Sequence, residues 1–305
     1  MSATVRSVVP LAIHPLTNVR STLSVYRYGH GDPTTRVTTN DFHRATLTPD
    51  GPGTLRIWWS RDHLDACAWG PGAEWLLARV PGITGAIDAG HTFDTAAHPV
   101  ILRAQRNHPA TRIGSSGMLY HELLPVILGQ RVTSVEAFGQ WRRLVHRLGE
   151  PAPGPELGLR VPPTPQQVLA HPAWWFHPMG VEAKRAEAMR TVARHARRIE
   201  EWTALSPDLA ATKLRLLPGI GAWTIGSALG PALGDPDAVP VGDYHVPNTV
   251  SFALAGEARG TDARMLELLQ PYVGQRGRVI HLLGLDGHSA PKFGPRQRIQ
   301  PVYRR

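Results

Sequence analysis

Leu216-Leu217-Pro218-Gly219-Ile220-Gly221-Ala222-Trp223-Thr224 joins two stretches of helical periodicity, and Asp235-Pro236-Asp237-Ala238-Val239-Pro240-Val241-Gly242-Asp243-Tyr244 follows it. A Pro-Gly-x-Gly turn ahead of a helix leaves the first N–H groups of that helix without carbonyl partners. Those groups and the positive end of the helix dipole suit one phosphate of a nucleic-acid strand. Gly219 and Gly221 permit backbone angles and a close phosphate approach that a Cβ would hinder. Asp243 then stands one short helix downstream, where a carboxylate can act on a nucleotide whose backbone the turn holds. Asp235 and Asp237, in the same loop, read as turn or capping residues.

The pair of motifs resembles the helix-hairpin-helix DNA glycosylase superfamily, whose signature is Leu-Pro-Gly-(Ile/Val)-Gly followed by a proline-framed catalytic Asp. Ile220-Gly221-Ala222-Trp223-Thr224 is similar to the 3-methyladenine DNA glycosylase II branch, and so is the upstream Ile127-Leu128-Gly129-Gln130-Arg131-Val132-Thr133. The likeness of motifs and order runs from about Leu119 to about Leu283. Before it, only length and strand-rich character agree.

The remaining composition narrows the reading. Thirty-three Lys and Arg against 24 Asp and Glu leave a formal charge of +9, which favours a polyanionic partner. Arginine carries nearly all of it, since the lysines are Lys184, Lys213 and Lys292 alone. The single cysteine, Cys67, excludes an intrachain disulfide and a four-cysteine iron–sulfur cluster. No His pair has metal-ligand spacing with a carboxylate or cysteine partner, so neither a metal centre nor a cofactor is expected. No run is apolar enough to span a membrane and no signal pattern opens the chain, so the expected setting is the cytoplasm, without membrane contact.

The expected fold class is α+β. Residues 1–106 read as an antiparallel sheet domain: Asp41 to Leu47 and Thr54 to Trp59 are β-prone runs around the turn cluster at 49–53. Leu64, Ala66 and Ala68 alternate with polar positions, and a helical stretch near Glu74 to Arg79 follows. Residues 107–286 read as the helical glycosylase domain. Ser134 is the expected cap of the helix after Arg131. Pro151 to Pro165 is a connector, and helical patterns resume at 166–169, 181–201, 207–217, 224–233, 262–269 and 278–283. Residues 287–305 form a basic tail. The adjacent Trp174-Trp175-Phe176 cannot share one helix face and is read as domain packing.

The resemblance assigns roles to particular residues. Asp243 is the expected catalytic carboxylate, stabilising an oxocarbenium-like sugar and orienting water; its plain alternative is a helix N-cap. Trp223 stands where glycosylases that also nick DNA carry a Schiff-base lysine, so a monofunctional enzyme is expected. Its indole either stacks on a cationic base or packs the hairpin core. Pro218, Gly219, Ile220 and Gly221 are expected DNA contacts, with Gln130, Arg131, Thr133 and His245. Arg131 stands at the family's wedge position, filling the gap left by an extruded base, or is a solvated surface cation. Tyr244 and His245 either line the pocket and position phosphate or serve as a packed tyrosine and a capping histidine. The Leu217 and Ile220 carbonyls are candidates for the monovalent cation that the family often holds in the hairpin.

Two departures concern the substrate pocket. Ser227 stands where the branch has a tyrosine, and Gly284 falls where it has a pocket tryptophan. The resemblance implies a monomeric glycosylase that releases N-alkylated purines from double-stranded DNA. Another lesion preference, deaminated or oxidised bases, is the first alternative. A non-catalytic helix-hairpin-helix DNA-binding protein is the second.

Overall fold

A computed structural model describes residues 18–60, 63–155 and 158–291 in full, together with the backbone of a two-residue strand β1 (Thr4–Val5). The basic tail beyond residue 291 lies outside the described residues. The architecture is α+β: an antiparallel sheet precedes a mainly helical body.

Helix α1 (Val19–Ser24) starts under the Asn18 side chain, which accepts from Ser21 N at 3.0 Å. Strands β2 (Thr35–Val37), β3 (Asp41–Thr48), β4 (Gly51–Trp59) and β5 (Leu64–Trp69) then meander, giving the sheet order β1-β5-β4-β3-β2. Register is set by alternation: Phe42 pairs with Ile57 and Leu55 with Ala68, all buried. These residues pack on α1 and on two short helices, α2 (Ala73–Ala78) and α3 (Val80–Ile83).

Helix α4 (Pro99–Asn107) begins with Pro99 behind the capping side chain of His98. The boundary expected at residue 106 falls inside it. Its buried Ile101 and Ala104 belong to a cluster with Val250, Met265, Leu269 and Val279, near the C-terminus. Helix α4 therefore packs with the helical body, a correction to the 1–106 division. The cause is tertiary: an amphipathic helix buries its face where a matching face exists.

The central core forms around α5 (Leu119–Leu128), apolar on every side and buried throughout. Helix α6 (Ser134–Leu148) lies against it, capped by Thr133 and not by Ser134, because the Thr133 hydroxyl accepts from Glu136 N. The proline-rich connector leads to α7 (Pro165–Leu169) and to a 3₁₀ stretch, Ala173–Met179. There the aromatic trio divides. Phe176 is buried, Trp175 stacks on His171 with ring centroids 3.7 Å apart, and Trp174 faces solvent.

Helices α8 (Ala183–Arg194) and α9 (Ala196–Glu201) break the run expected as one at His195, whose ring Nδ1 binds the Thr191 carbonyl. Helix α10 (Pro207–Leu214) and α11 (Ala222–Leu233) flank the hairpin. Helix α12 (Val246–Ala255) was not expected from periodicity. Its Pro247 in the first turn is a start signal, since proline's missing N–H costs nothing there. Helices α13 (Asp262–Leu269) and α14 (Arg276–Leu285) complete the body. No helix among the described residues is long and apolar enough to cross a membrane.

Candidate active site

The hairpin is built by one glycine and left open by another. Gly219 has φ +86°, and a Cβ there would lie 2.7 Å from the Ala188 Cβ of α8. It is a glycine for the sake of the fold. Gly221 is extended, with nothing within 4 Å of the place a Cβ would take. Its missing side chain matters only to something arriving from outside. Gly221 is also the N-cap of α11 and supplies no side-chain acceptor, so the N–H groups of residues 222–224 stand free at the positive helix end. Pro218 is exposed, whereas Leu217 and Ile220 bury their side chains and present only backbone. The Leu217 carbonyl accepts Ile220 N at 3.1 Å, leaving one lone pair for any ion.

Gln130 does not face outward. Its Nε2 donates to the Gly219 carbonyl and to Thr224 Oγ1, both at 2.9 Å. Thr133 is occupied as the α6 cap. Both residues, expected as DNA contacts, make internal bonds that brace the loop and hairpin in this structure. The reason is that a polar side chain beside an unpaired carbonyl or helix end binds it in preference to solvent. Arg131 stays exposed between them, with φ +59°. A non-glycine residue in left-handed backbone carries a conformational cost that persists only where neighbours hold it.

Asp243 is placed by a loop clamped at two glycines. At Gly226 of α11 a Cβ would collide with the Val239 carbonyl, and at Gly277 of α14 one would lie 2.7 Å from the Ala238 carbonyl. Asp237 completes the clamp. Its carboxylate accepts Gly274 N and Arg276 N and pairs with the Arg276 guanidinium, which holds the carboxyl below its usual range despite partial burial. Asp235 accepts Asp237 N within the turn, and its own burial raises its carboxyl.

With the loop so held, Asp243 Oδ2 receives the Trp223 indole N–H at 2.9 Å. Oδ1 receives the backbone N–H groups of His245 at 2.7 Å and Val246 at 2.9 Å. The capping interaction and the contact with Trp223 therefore coexist in one half-buried carboxylate. Tyr244 is 71% exposed and His245 lies edge-on against it, with centroids 5.0 Å apart. Neither lines the cleft described next, and Tyr244, read from the sequence as a pocket or packed residue, faces solvent in this structure.

A cleft of about 260 Å³ opens behind Trp223, where the helical body meets the chain between α1 and β2. Trp223 and Ser227 of α11 line it, as do Pro125 and Val126 of α5, Trp141 of α6, and Tyr28. A Cβ on Gly129 would lie 2.8 Å from the Tyr28 hydroxyl and 3.1 Å from the Trp223 ring, so the two aromatics crowd the same glycine. The cleft floor is polar. Arg44 pairs with Glu122 at 2.7 Å, and His121 Nδ1 meets Thr46 Oγ1 at 2.9 Å. Burial, helped by Arg44, drives the His121 imidazole well below its usual range, so it is neutral. Gly284, the position of the missing pocket tryptophan, has open space around it. Tyr28 and this polar floor were not foreseen, because nothing local in Val25-Tyr26-Arg27-Tyr28 reports which helix it meets.

No protein-family model matches the chain, and no curated protein matches it in sequence. Solved structures match in fold. A 3-methyladenine DNA glycosylase from Archaeoglobus fulgidus superposes with a TM-score of 0.73 at 18% identity, over 91% of this chain and 98% of that one. An 8-oxoguanine glycosylase/lyase from Clostridium acetobutylicum, in complex with double-stranded DNA, gives 0.65 at 12% identity, over 93% and 96%. A 3-methyladenine DNA glycosylase from Schizosaccharomyces pombe, bound to abasic DNA, gives 0.51 at 18%, over 63% and 92%. The chain has the fold of the helix-hairpin-helix DNA glycosylases.

Proposed function

We propose that this protein is a monofunctional DNA glycosylase that hydrolyses the N-glycosidic bond of N-alkylated purines in double-stranded DNA. The observation that carries the reading is the Asp243 carboxylate hydrogen-bonded to the indole of Trp223, whose ring lines a cleft of about 260 Å³. Asp243 stands on the loop that follows a hairpin with free helix N–H groups. The hairpin takes a backbone phosphate, and the nucleotide beyond it leaves the stack. Arg131 enters the gap. The base enters beside Trp223, which sets C1′ near Asp243. As the C1′–N bond breaks, the carboxylate opposes the positive charge growing on the sugar and accepts a proton from the attacking water. An alkylated base already carries positive charge and leaves without a strong general acid.

Support for the monofunctional part comes from Trp223 itself, which has no nucleophilic atom where a lyase needs an amine. The deciding experiment is incubation with methylated duplex DNA and identification of the released bases by mass spectrometry, with borohydride added in parallel. Release of 3-methyladenine or 7-methylguanine without a trapped adduct is expected. A trapped protein–DNA adduct removes the monofunctional assignment, and no released base removes the N-alkylpurine reading.

A further inference from the structure

Gly129, Gln130 and Arg131 follow one another just after α5, and each meets a different part of the site. A Cβ on Gly129 would lie 3.1 Å from the Trp223 ring, so the backbone there runs against the side chain that holds Asp243. Gln130 Nε2 donates to the Gly219 carbonyl of the hairpin and to Thr224 Oγ1 in the first turn of α11, each at 2.9 Å. Arg131 is exposed in left-handed backbone, one Cα step of about 3.8 Å from Gln130.

The two hydrogens of the Gln130 amide are both committed. A carbonyl can only accept, so the amide nitrogen and not its oxygen must face Gly219. The peptide unit between Gly219 and Ile220 is then pinned at both ends. Gln130 holds its oxygen, and its N–H donates to the Leu217 carbonyl at 3.1 Å. Bonds joined in such a chain polarise and strengthen one another. The backbone N–H of Gln130 donates to the Ile127 carbonyl of the buried helix α5 at 3.2 Å, and Thr224 is buried as well. The brace therefore joins two packed elements, with Arg131 on one side of it and the free helix N–H groups on the other.

We infer that Gln130 is a positioning residue that makes phosphate capture at the hairpin and wedge insertion by Arg131 one cooperative event. This rests on the roles given above to the hairpin and to Arg131. Two contacts carried on one rigid frame pay the cost of ordering once, whereas contacts on separately moving loops each pay it. The brace sets the vector from Gly221 to Arg131 before DNA arrives. A duplex held at one phosphate then already presents its stack to the guanidinium. Removing either contact loses that contact and the cooperation with it, so removing both costs less than the two single losses combined.

The test is equilibrium affinity for a duplex carrying a stable abasic-site analogue, in which the gap is already open and no base need be released. Gly221→Ala, Arg131→Ala and the pair are measured in the wild-type background and again with Gln130→Met, which keeps the side-chain length and removes both donors. In the wild-type background the pair is expected to lose at least about fivefold less affinity than the product of the single losses. With Gln130→Met the losses are expected to multiply. Thr224→Val deletes one acceptor of the brace, and the same cycle on it is expected to show weakened coupling. It carries the test if a thermal melt shows Gln130→Met unfolded. Losses that multiply in the wild-type background overturn the proposal, as does coupling unchanged in the folded brace variants. Coupling without release of alkylated bases from methylated duplex overturns the N-alkylpurine reading instead and leaves the role of Gln130 standing.

Discussion

The Trp223 indole N–H points at Asp243 Oδ2 across 2.9 Å, while the opposite oxygen of that carboxylate holds the first N–H groups of α12. One carboxylate is thus fixed from both sides, by a helix that follows the hairpin and by a helix that follows the loop. Its orientation is set before any substrate arrives, which is the condition for electrostatic stabilisation without reorganisation.

Asp243→Asn keeps the shape and an acceptor for the His245 and Val246 N–H groups but removes the charge. Base release should fall by about a hundredfold or more, while affinity for undamaged duplex stays near wild type. Single-turnover release and a gel-shift titration measure the two. Release within about tenfold of wild type would remove Asp243 from the catalytic role.

Trp223→Phe preserves a ring face toward the cleft and deletes the N–H that orients Asp243. The turnover number should drop about tenfold or more, the worth of a hydrogen bond to a charged group, with a much smaller change in KM. A variant that raises KM at unchanged turnover would make Trp223 a binding surface only.

The two hairpin glycines should separate stability from binding. Gly219→Ala forces a Cβ into left-handed backbone against Ala188 and should cost about 1–3 kcal/mol in urea unfolding. Gly221→Ala meets open space, so stability should stay within about 0.5 kcal/mol while duplex affinity falls for every sequence alike. If Gly221→Ala binds DNA as tightly as wild type, the hairpin does not hold a phosphate.

Arg131→Ala should reduce release from duplex DNA far more than from single strands, because only a duplex leaves a gap to fill. Equal losses on both substrates would make Arg131 an ordinary phosphate contact.

Glu200 predicts a pH dependence of folding. Its carboxylate accepts the Leu119 and Tyr120 N–H groups at the start of α5, but burial is the larger effect and pushes its pKa up to about 7 from the ordinary 4.5. A raised carboxyl favours its protonated form in the folded state. The stability this contributes is full below pH 4.5 and is lost as pH climbs through 7, by about 3 kcal/mol. Thermal melts from about pH 5 to about pH 8 should show the decline, and Glu200→Gln should flatten it. If Glu200→Gln keeps the wild-type slope, the dependence belongs to other groups.

Several features were legible in the chain because they depend on neighbours in sequence. The Pro-Gly-x-Gly turn, the proline frame of Asp243 and the sheet before the helices follow from local backbone preference and spacing, and the resemblance marks Trp223 as the place where other glycosylases carry a lysine. Tertiary packing alone decided what each polar side chain would meet. Gln130 turned its amide onto the hairpin, Thr133 displaced Ser134 as a cap, Tyr244 swung to solvent, and α4 joined the C-terminal helices. Tyr28 reached the cleft from the other end of the chain, far from Trp223 in sequence. Local periodicity tells which face of an element is apolar. It does not tell which distant carbonyl, ring or helix end will complete that face, because such pairings are chosen by the burial and hydrogen bonding of the whole chain at once.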